Sequence, residues 1–121
     1  MTAYTTQTLV PFLQWGEING NGYDGGNTYI GNAVPAANYY GGQGAIQTVL
    51  FNVDSFVGNI RIEATLNDLQ ESAPWFEVAT VIAPTSIVEV TSNTVIGNFT
   101  WLRATVTDFT AGNVNIVSAS Y

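Results

Sequence analysis

The sequence predicts an all-β fold: a single antiparallel two-sheet β-sandwich in jelly-roll or immunoglobulin-like order. Short segments alternate apolar and polar residues with the period of two that a half-buried strand requires. These segments recur about every ten residues with turn-forming residues between them, as they do in sandwich domains. No segment has the pattern of a crossover helix, and only LNDLQES (66–72) suggests a helical turn. The 121 residues suit one domain with its own core.

The first third of the chain, residues 1–45, is rich in glycine. Nine of the twelve glycines lie between positions 16 and 44. Because glycine weakens regular structure and permits tight turns, we expect loops, short strands and an arm here, within the same domain as the rest. Aromatic rings on such loops could insert into a neighbouring subunit or stack on sugars, or could instead close the open ends of the sandwich. The candidate interface aromatics are Trp15, Tyr23, Tyr29, Tyr39 and Tyr40.

Residues 46–121 are predicted to form the sandwich core, because alternation dominates from this point. The predicted strands are 47–53, 59–66, 75–82, 86–91, 94–99, 101–109 and 113–121. Turn chemistry separates them at Asp54-Ser55, Asn67-Asp68, Ala83-Pro84, Ser92-Asn93 and Ala111-Gly112. In the last strand the apolar positions change parity, which predicts a bulge near Ile116.

Composition excludes most catalytic chemistry. The chain has no histidine, lysine or cysteine, so it lacks the residues for a Ser-His-Asp triad, a cysteine nucleophile, a Schiff base or a histidine zinc site. Glu63, Glu77 and Glu89 could in principle hydrolyse a glycosidic bond, but each takes the polar phase of an alternating strand, which is typical of a solvated face. We therefore expect no catalytic residues and no enzyme activity.

Metal, nucleic acid and membrane are likewise not expected as partners. Oxygen ligands for calcium could come from Asn19, Asn21 and Asp24, but their spacing does not match a calcium loop, and a glycine–asparagine turn cluster is the preferred interpretation. The net charge of −7 provides no basic surface for phosphates. No apolar run approaches the ~20 residues of a membrane span. The first residues show no signal peptide, so we expect no export. We also expect no cofactor.

The two arginines, Arg61 and Arg103, are the chain's only basic side chains. In the segment GNFTWLRATV, alternation places Arg103 on the polar face with Trp101, and Arg61 takes the equivalent phase beside Glu63. We predict a structural tie made by Arg61, Arg103 and Trp101, in which each guanidinium pairs with a carboxylate and an indole stacks on a guanidinium. The candidate carboxylate partners are Asp68, Glu77 and Asp108.

Three segments in the second half of the chain, about residues 57 to 121, show a resemblance to a known family. They are GNIRIEATL (58–66), PWFEV (74–78) and GNFTWLRATVTDFTAGNVNIVSASY (97–121). The pattern resembles a small β-sandwich module of structural proteins in tailed bacteriophages, especially marine and cyanobacterial ones. The residues that carry the resemblance are Gly58, Ile60, Ile62, Trp75, Phe76, Trp101, Arg103, Ala104, Phe109, Gly112 and Tyr121.

The resemblance implies a non-catalytic virion subunit, assembled with others in the host cytoplasm. We expect a capsid decoration or cement protein on the head surface, whose glycine- and tyrosine-rich first third reaches onto neighbours. Its expected partners are the major capsid protein, other virion proteins and copies of itself, as a homo-oligomer. A tail, neck or baseplate component is the first alternative. A carbohydrate-binding module for host attachment, with glycan stacked on the loop aromatics, is the second.

Overall fold

A computed structural model describes residues 6–18, 20, 22–37, 46–66 and 74–121 of the chain. The described residues form an all-β fold with an antiparallel sheet and contain no helix. This confirms the all-β antiparallel prediction. The strands are β1 (Thr6–Val10), β2 (Leu13–Gln14), β3 (Tyr29–Ile30), β4 (Val34–Pro35), β5 (Ile46–Thr65), β6 (Phe76–Ile96) and β7 (Trp101–Ser120).

Three long strands replace the seven short ones predicted after residue 45. β5 joins the predicted strands 47–53 and 59–66, β6 joins the next three, and β7 joins the last two. The strands form one hydrogen-bonded sheet in the order β1-β7-β5-β6, with β2, β3 and β4 also paired to β7. Two packed layers in jelly-roll or immunoglobulin-like order therefore stay a prediction, as does the helical turn at 66–72, because residues 67–73 lie outside the described ones.

Bulges explain why turn-forming residues lie inside long strands. Ser55 has a φ of 54° and Asp108 a φ of 52°, and the pairing register shifts between Asp54 and Val57. On β5 the buried positions are odd-numbered up to Val53 and even-numbered from Phe56. The extra residue at each bulge changes the parity of the buried positions, so the same face of the strand packs on the core before and after it. The chain continues in the same direction and does not reverse.

The predicted bulge near Ile116 is confirmed. Asn52 pairs with Ile116 while Val53 pairs with Val114, which leaves Asn115 as the extra residue on β7. The bulge brings Val114 and Val117 to the same core face, and both are fully buried. Parity in the sequence was therefore enough to locate this irregularity.

The first third of the chain lies along β7. β1 pairs with the end of β7, β2 with its middle, and β3 and β4 with its first half. This segment also supplies Leu9, Val10 and Leu13, which are at most 2% exposed and pack in the same cluster as Phe51 and Phe109. The described part of residues 1–45 thus packs along β7, and an arm that reaches onto neighbours stays a prediction.

Candidate interaction surface: the outer face and free edge of the sheet

The sheet buries one face on the core and presents the other, called here the outer face. Residues directly opposite each other on paired strands share a face, so the register assigns each side chain. The partners of Ile60 and Ile62 face the core, whereas those of Arg61 and Glu63 lie on the outer face. The bulges in β5 and β7 divide this face into two halves. One half contains two ion pairs, and the other is almost uncharged.

The charged half contains a compact cluster around Glu63. Glu63 lies opposite Arg103 in the register of β5 and β7. Its Oε1 accepts a hydrogen bond from Arg103 Nε at 2.8 Å and another from Thr105 Oγ1 at 3.2 Å. The Arg103 guanidinium carbon lies 4.4 Å from the centre of the Trp75 ring. Arg103 and Glu63 side chains are only 29% and 17% exposed, which strengthens the ion pair by limiting its contact with water.

The second ion pair is more exposed. Arg61 Nε lies 2.9 Å from Glu77 Oε1, and the two side chains are 47% and 48% exposed. Glu77 was one of the three candidate partners. Of the others, Asp68 lies outside the described residues, and Asp108 accepts a hydrogen bond from Asn59 Nδ2 at 3.1 Å.

Among the described residues, an indole that stacks on the Arg103 guanidinium is that of Trp75. Trp101 is half-buried and lies opposite Pro35 on β4 and Thr65 on β5. Neither Trp75 nor the partner of Arg103 can be identified from the sequence alone, because both depend on the alignment of three strands. The alternation of Glu63 within NIRIEATL was the one usable signal, since it placed this carboxylate on the same face as the arginines.

The five candidate interface aromatics have different environments. Trp15 is 46% exposed, whereas Tyr23 is 2% and Tyr29 is 8% exposed. The Tyr23 ring packs against both Tyr29 and Phe109, and burial raises the pKa of Tyr29 above its ordinary value. Tyr23 and Tyr29 are therefore corrected from interface rings to core rings, because the glycine-rich loop folds them onto β7. Tyr39 and Tyr40 lie outside the described residues.

The other half of the sheet is almost uncharged. It comprises residues 6–10, 46–53, 87–96 and 113–121, whose one charged side chain is Glu89. On its outer face four hydroxyl residues align across the four strands: Thr6, Ser120, Thr48 and Thr94. Thr6 Oγ1 and Ser120 Oγ are 3.0 Å apart, within hydrogen-bond distance. A surface of hydroxyls and short aliphatic groups can approach another protein without desolvating ions.

Residues 87–96 of β6, called here the free edge, form the border of this half. Within the described part of the chain they pair only with β5, so their other side has no strand partner. Three apolar side chains are strongly exposed: Val88 at 75%, Val90 at 67% and Ile96 at 72%. Sheet edges are commonly protected by lysine, proline or short length. The free edge has only Glu89 for this purpose.

Gln47 anchors the end of the free edge. Its side chain is fully buried, and its Nε2 donates to the carbonyl oxygens of Val95 at 3.0 Å and Gly97 at 3.4 Å. Its Oε1 accepts from the Ala37 amide at 3.2 Å. Alternation alone does not indicate this contact, because Gln47 takes a core position in an otherwise apolar pattern. It holds the end of β6 in a fixed position before any partner binds.

The bend in the sheet forms a shallow depression of about 320 Å³. Its lining includes Asn59, Ile82, Asp108 and Thr110. The lining holds one carboxylate, so it has no acid–base pair for hydrolysis. Among the described residues no cluster of acidic side chains could hold a metal ion, and no helix is long and apolar enough to cross a membrane.

Comparison with protein-family models, curated proteins and solved structures gives no match to this chain. The phage module therefore remains a resemblance in residues 57–121. The surface itself provides the structural basis for a functional proposal: a charged half held by two ion pairs, an uncharged half, and an exposed apolar edge.

Proposed function

We propose that this chain is a non-enzymatic structural protein of a tailed-phage virion, and that it decorates or cements the head surface. The free edge carries the proposal, because an exposed, β-branched and nearly uncharged strand is suited to pairing with another protein. The sequence resemblance supports a phage particle as the setting. A two-sheet sandwich built on these strands would present the edge at its border.

The distribution of charge is consistent with assembly in many copies. The net charge is −7 with only 9% charged residues, yet the half of the sheet beside the free edge has a single charged side chain. Like charges brought together in a symmetric array repel each other, so an assembly surface benefits from having few. The proposed partners, the major capsid protein or other virion proteins, would contact this uncharged half.

The same surface would serve a tail, neck or baseplate protein, which is the alternative location. Glycan binding has less support. A stacking site needs two or three exposed rings beside polar groups, and of the proposed aromatics Tyr23 and Tyr29 are buried while Trp15 is exposed. The ring of Trp75 is already in contact with the Arg103 guanidinium, so less of it is available to stack on a sugar.

Quantitative mass spectrometry of purified particles tests the proposal. Particles of the phage whose genome encodes this chain would be separated into heads and tails and each fraction analysed. Recovery with the heads is the expected result, recovery with the tails selects the alternative, and absence from both refutes a virion role.

Deletion of residues 1–45 is an unsuitable test of an arm, because the deletion removes Leu9, Val10 and Leu13 from the core. Trp15→Ala is the better variant, since this exposed ring can be removed without opening the core. If Trp15 contacts a neighbour on the particle, the purified variant binds heads more weakly than the wild type. Binding of the wild type to glycans but not to heads would replace the proposal with the carbohydrate-binding one.

A further inference from the structure

We propose that two copies of this chain pair antiparallel through their free edges, about a two-fold axis at Ser92, to form one continuous sheet. This pairing is a property of the isolated protein and does not depend on where in a particle the chain is used.

Within the described ranges, the free edge has the features of a strand that lacks a partner on one side. Each unpaired strand edge presents a row of backbone N–H and C=O groups that another strand can bind. Val88, Val90 and Ile96 are each at least 67% exposed. All three lie on the outer face, because the partners of Val90 and Ile96 on β5 are Asn52 and Ile46 and the strand alternates between them. Pairing would cover both the backbone edge and much of this apolar area.

The positions of these side chains select the register. A two-fold axis at Ser92 places Val88 opposite Ile96 of the second copy and Val90 opposite its Thr94. All three exposed apolar residues then lie beside the partner strand. An axis at Thr91 places Ile96 opposite residue 86, outside the free edge. An axis at Asn93 places Val90 opposite Ile96 but leaves Val88 beyond the end of the second copy's β6. Only the Ser92 axis therefore keeps all three apolar residues opposite residues 87–96.

Charge favours a second copy over a basic partner. In this register the two Glu89 side chains lie six residues apart along the strands, or about 20 Å, at ~3.4 Å per residue. That distance exceeds the screening length of about 8 Å at physiological ionic strength. An axis at Val90 would instead bring the two carboxylates into diagonal contact, which is unfavourable. Along the whole free edge, a lysine-rich partner strand could form an ion pair with only one carboxylate, that of Glu89.

The outer face would continue across the axis. Thr8, Ser118, Leu50 and Ser92 form one row across the four strands, and pairing at Ser92 joins this row to the same row of the second copy. The Gln47 contacts to Val95 and Gly97 fix the strand end in advance, so little order need be gained on pairing.

Solution mass measurements test the pairing. Light scattering after size exclusion, over a concentration series into the high micromolar range, should show the wild-type mass doubling with concentration. Val90→Lys places a charge in the paired segment and should remain monomeric throughout. Thr8→Lys, on the same face but at the opposite border of the sheet, should dimerise like the wild type. A wild type that stays monomeric, or a Val90→Lys variant that dimerises equally, overturns the proposal.

Cross-linking tests the register independently. The chain has no cysteine, so a single Ser92→Cys substitution introduces one thiol per copy. Across an antiparallel pair the two Cα atoms would be about 4.5 or 5.5 Å apart, within the range of a disulfide. Diamide, as the oxidant, should cross-link Ser92→Cys but not Thr94→Cys, whose thiols would lie about 14 Å apart at ~3.4 Å per residue. Equal cross-linking of both variants overturns the register. Absence of the chain from virions would refute the proposed function and leave these results unaffected.

Discussion

Replacing Arg103 with alanine should destabilise the protein far more than the same change at Arg61. The two arginines make similar ion pairs, with N–O distances of 2.8 Å and 2.9 Å. They differ in burial and in neighbours. The Arg103 pair is mostly shielded from water and its guanidinium lies on the Trp75 ring, whereas both members of the Arg61 pair are about half exposed.

The magnitude follows from the contacts that each substitution removes. Loss of a charged hydrogen bond that leaves Glu63 partly buried costs about 1.5–3 kcal/mol. Loss of the cation–π contact adds roughly 0.5–1 kcal/mol. Arg103→Ala should therefore lower the free energy of unfolding by about 2–4 kcal/mol, and Arg61→Ala, an exposed pair, by about 0–1 kcal/mol. At roughly 4 °C per kcal/mol for a chain of this length, the Tm should fall by about 8–16 °C in Arg103→Ala and by at most about 4 °C in Arg61→Ala.

Urea unfolding followed by tryptophan fluorescence provides the assay, because Trp75 lies within the perturbed cluster. A double-mutant cycle of Arg103→Ala with Glu63→Gln should show that the two losses are not additive, since the residues share one hydrogen bond. If Arg103→Ala costs no more than Arg61→Ala, the structural tie is wrong and Arg103 is available for another role.

Three further changes test other parts of the structure. Gln47→Ala removes the buried amide that anchors β6 and should cost about 2–4 kcal/mol in urea unfolding, whereas the exposed neighbour Thr48→Ala should cost little; equal costs would contradict the anchor. Gly112 has a φ of 83°, and an added Cβ would collide with the Ser55 backbone, so Gly112→Ala should lower the Tm by at least about 4 °C, with an unchanged Tm arguing against the bulge. Burial raises the pKa of Tyr29 above 10.0, so its contribution to stability is present below pH 10 and is lost as the pH rises through its folded-state pKa. Tyr29→Phe should therefore flatten the fall in unfolding free energy above pH 10, and an identical fall in both proteins would refute this.

Alternation in the sequence was sufficient to predict an all-β fold with an antiparallel sheet, because each strand buries one face on a single core. It could not show that neighbouring strands are continuous. Asp54-Ser55 and Ala111-Gly112 have the composition of turns, and only the pairing of β5 with β7 makes them bulges. Near Ile116 no turn residues intervene, so the change of parity could be interpreted correctly as a bulge.

The candidate surface was only partly predictable, since its features depend on non-local pairing. Alternation placed Arg103 on the polar face, but the choice of Glu63 and Trp75 as neighbours requires the order of three strands. The burial of Tyr29 likewise depends on β3 docking against β7. The free edge is a property of strand order alone, because Val88 and Val90 have the same alternation as residues in a central strand.

A map of the intact phage particle, at a resolution that separates β-strands, tests the central claim most directly. The claim is that this chain is an assembly subunit that uses the uncharged half of its sheet. The account predicts density for the chain on the head, with residues 87–96 lying beside a strand of another subunit. A particle that lacks the chain, or one in which residues 87–96 face solvent in every copy, would contradict it.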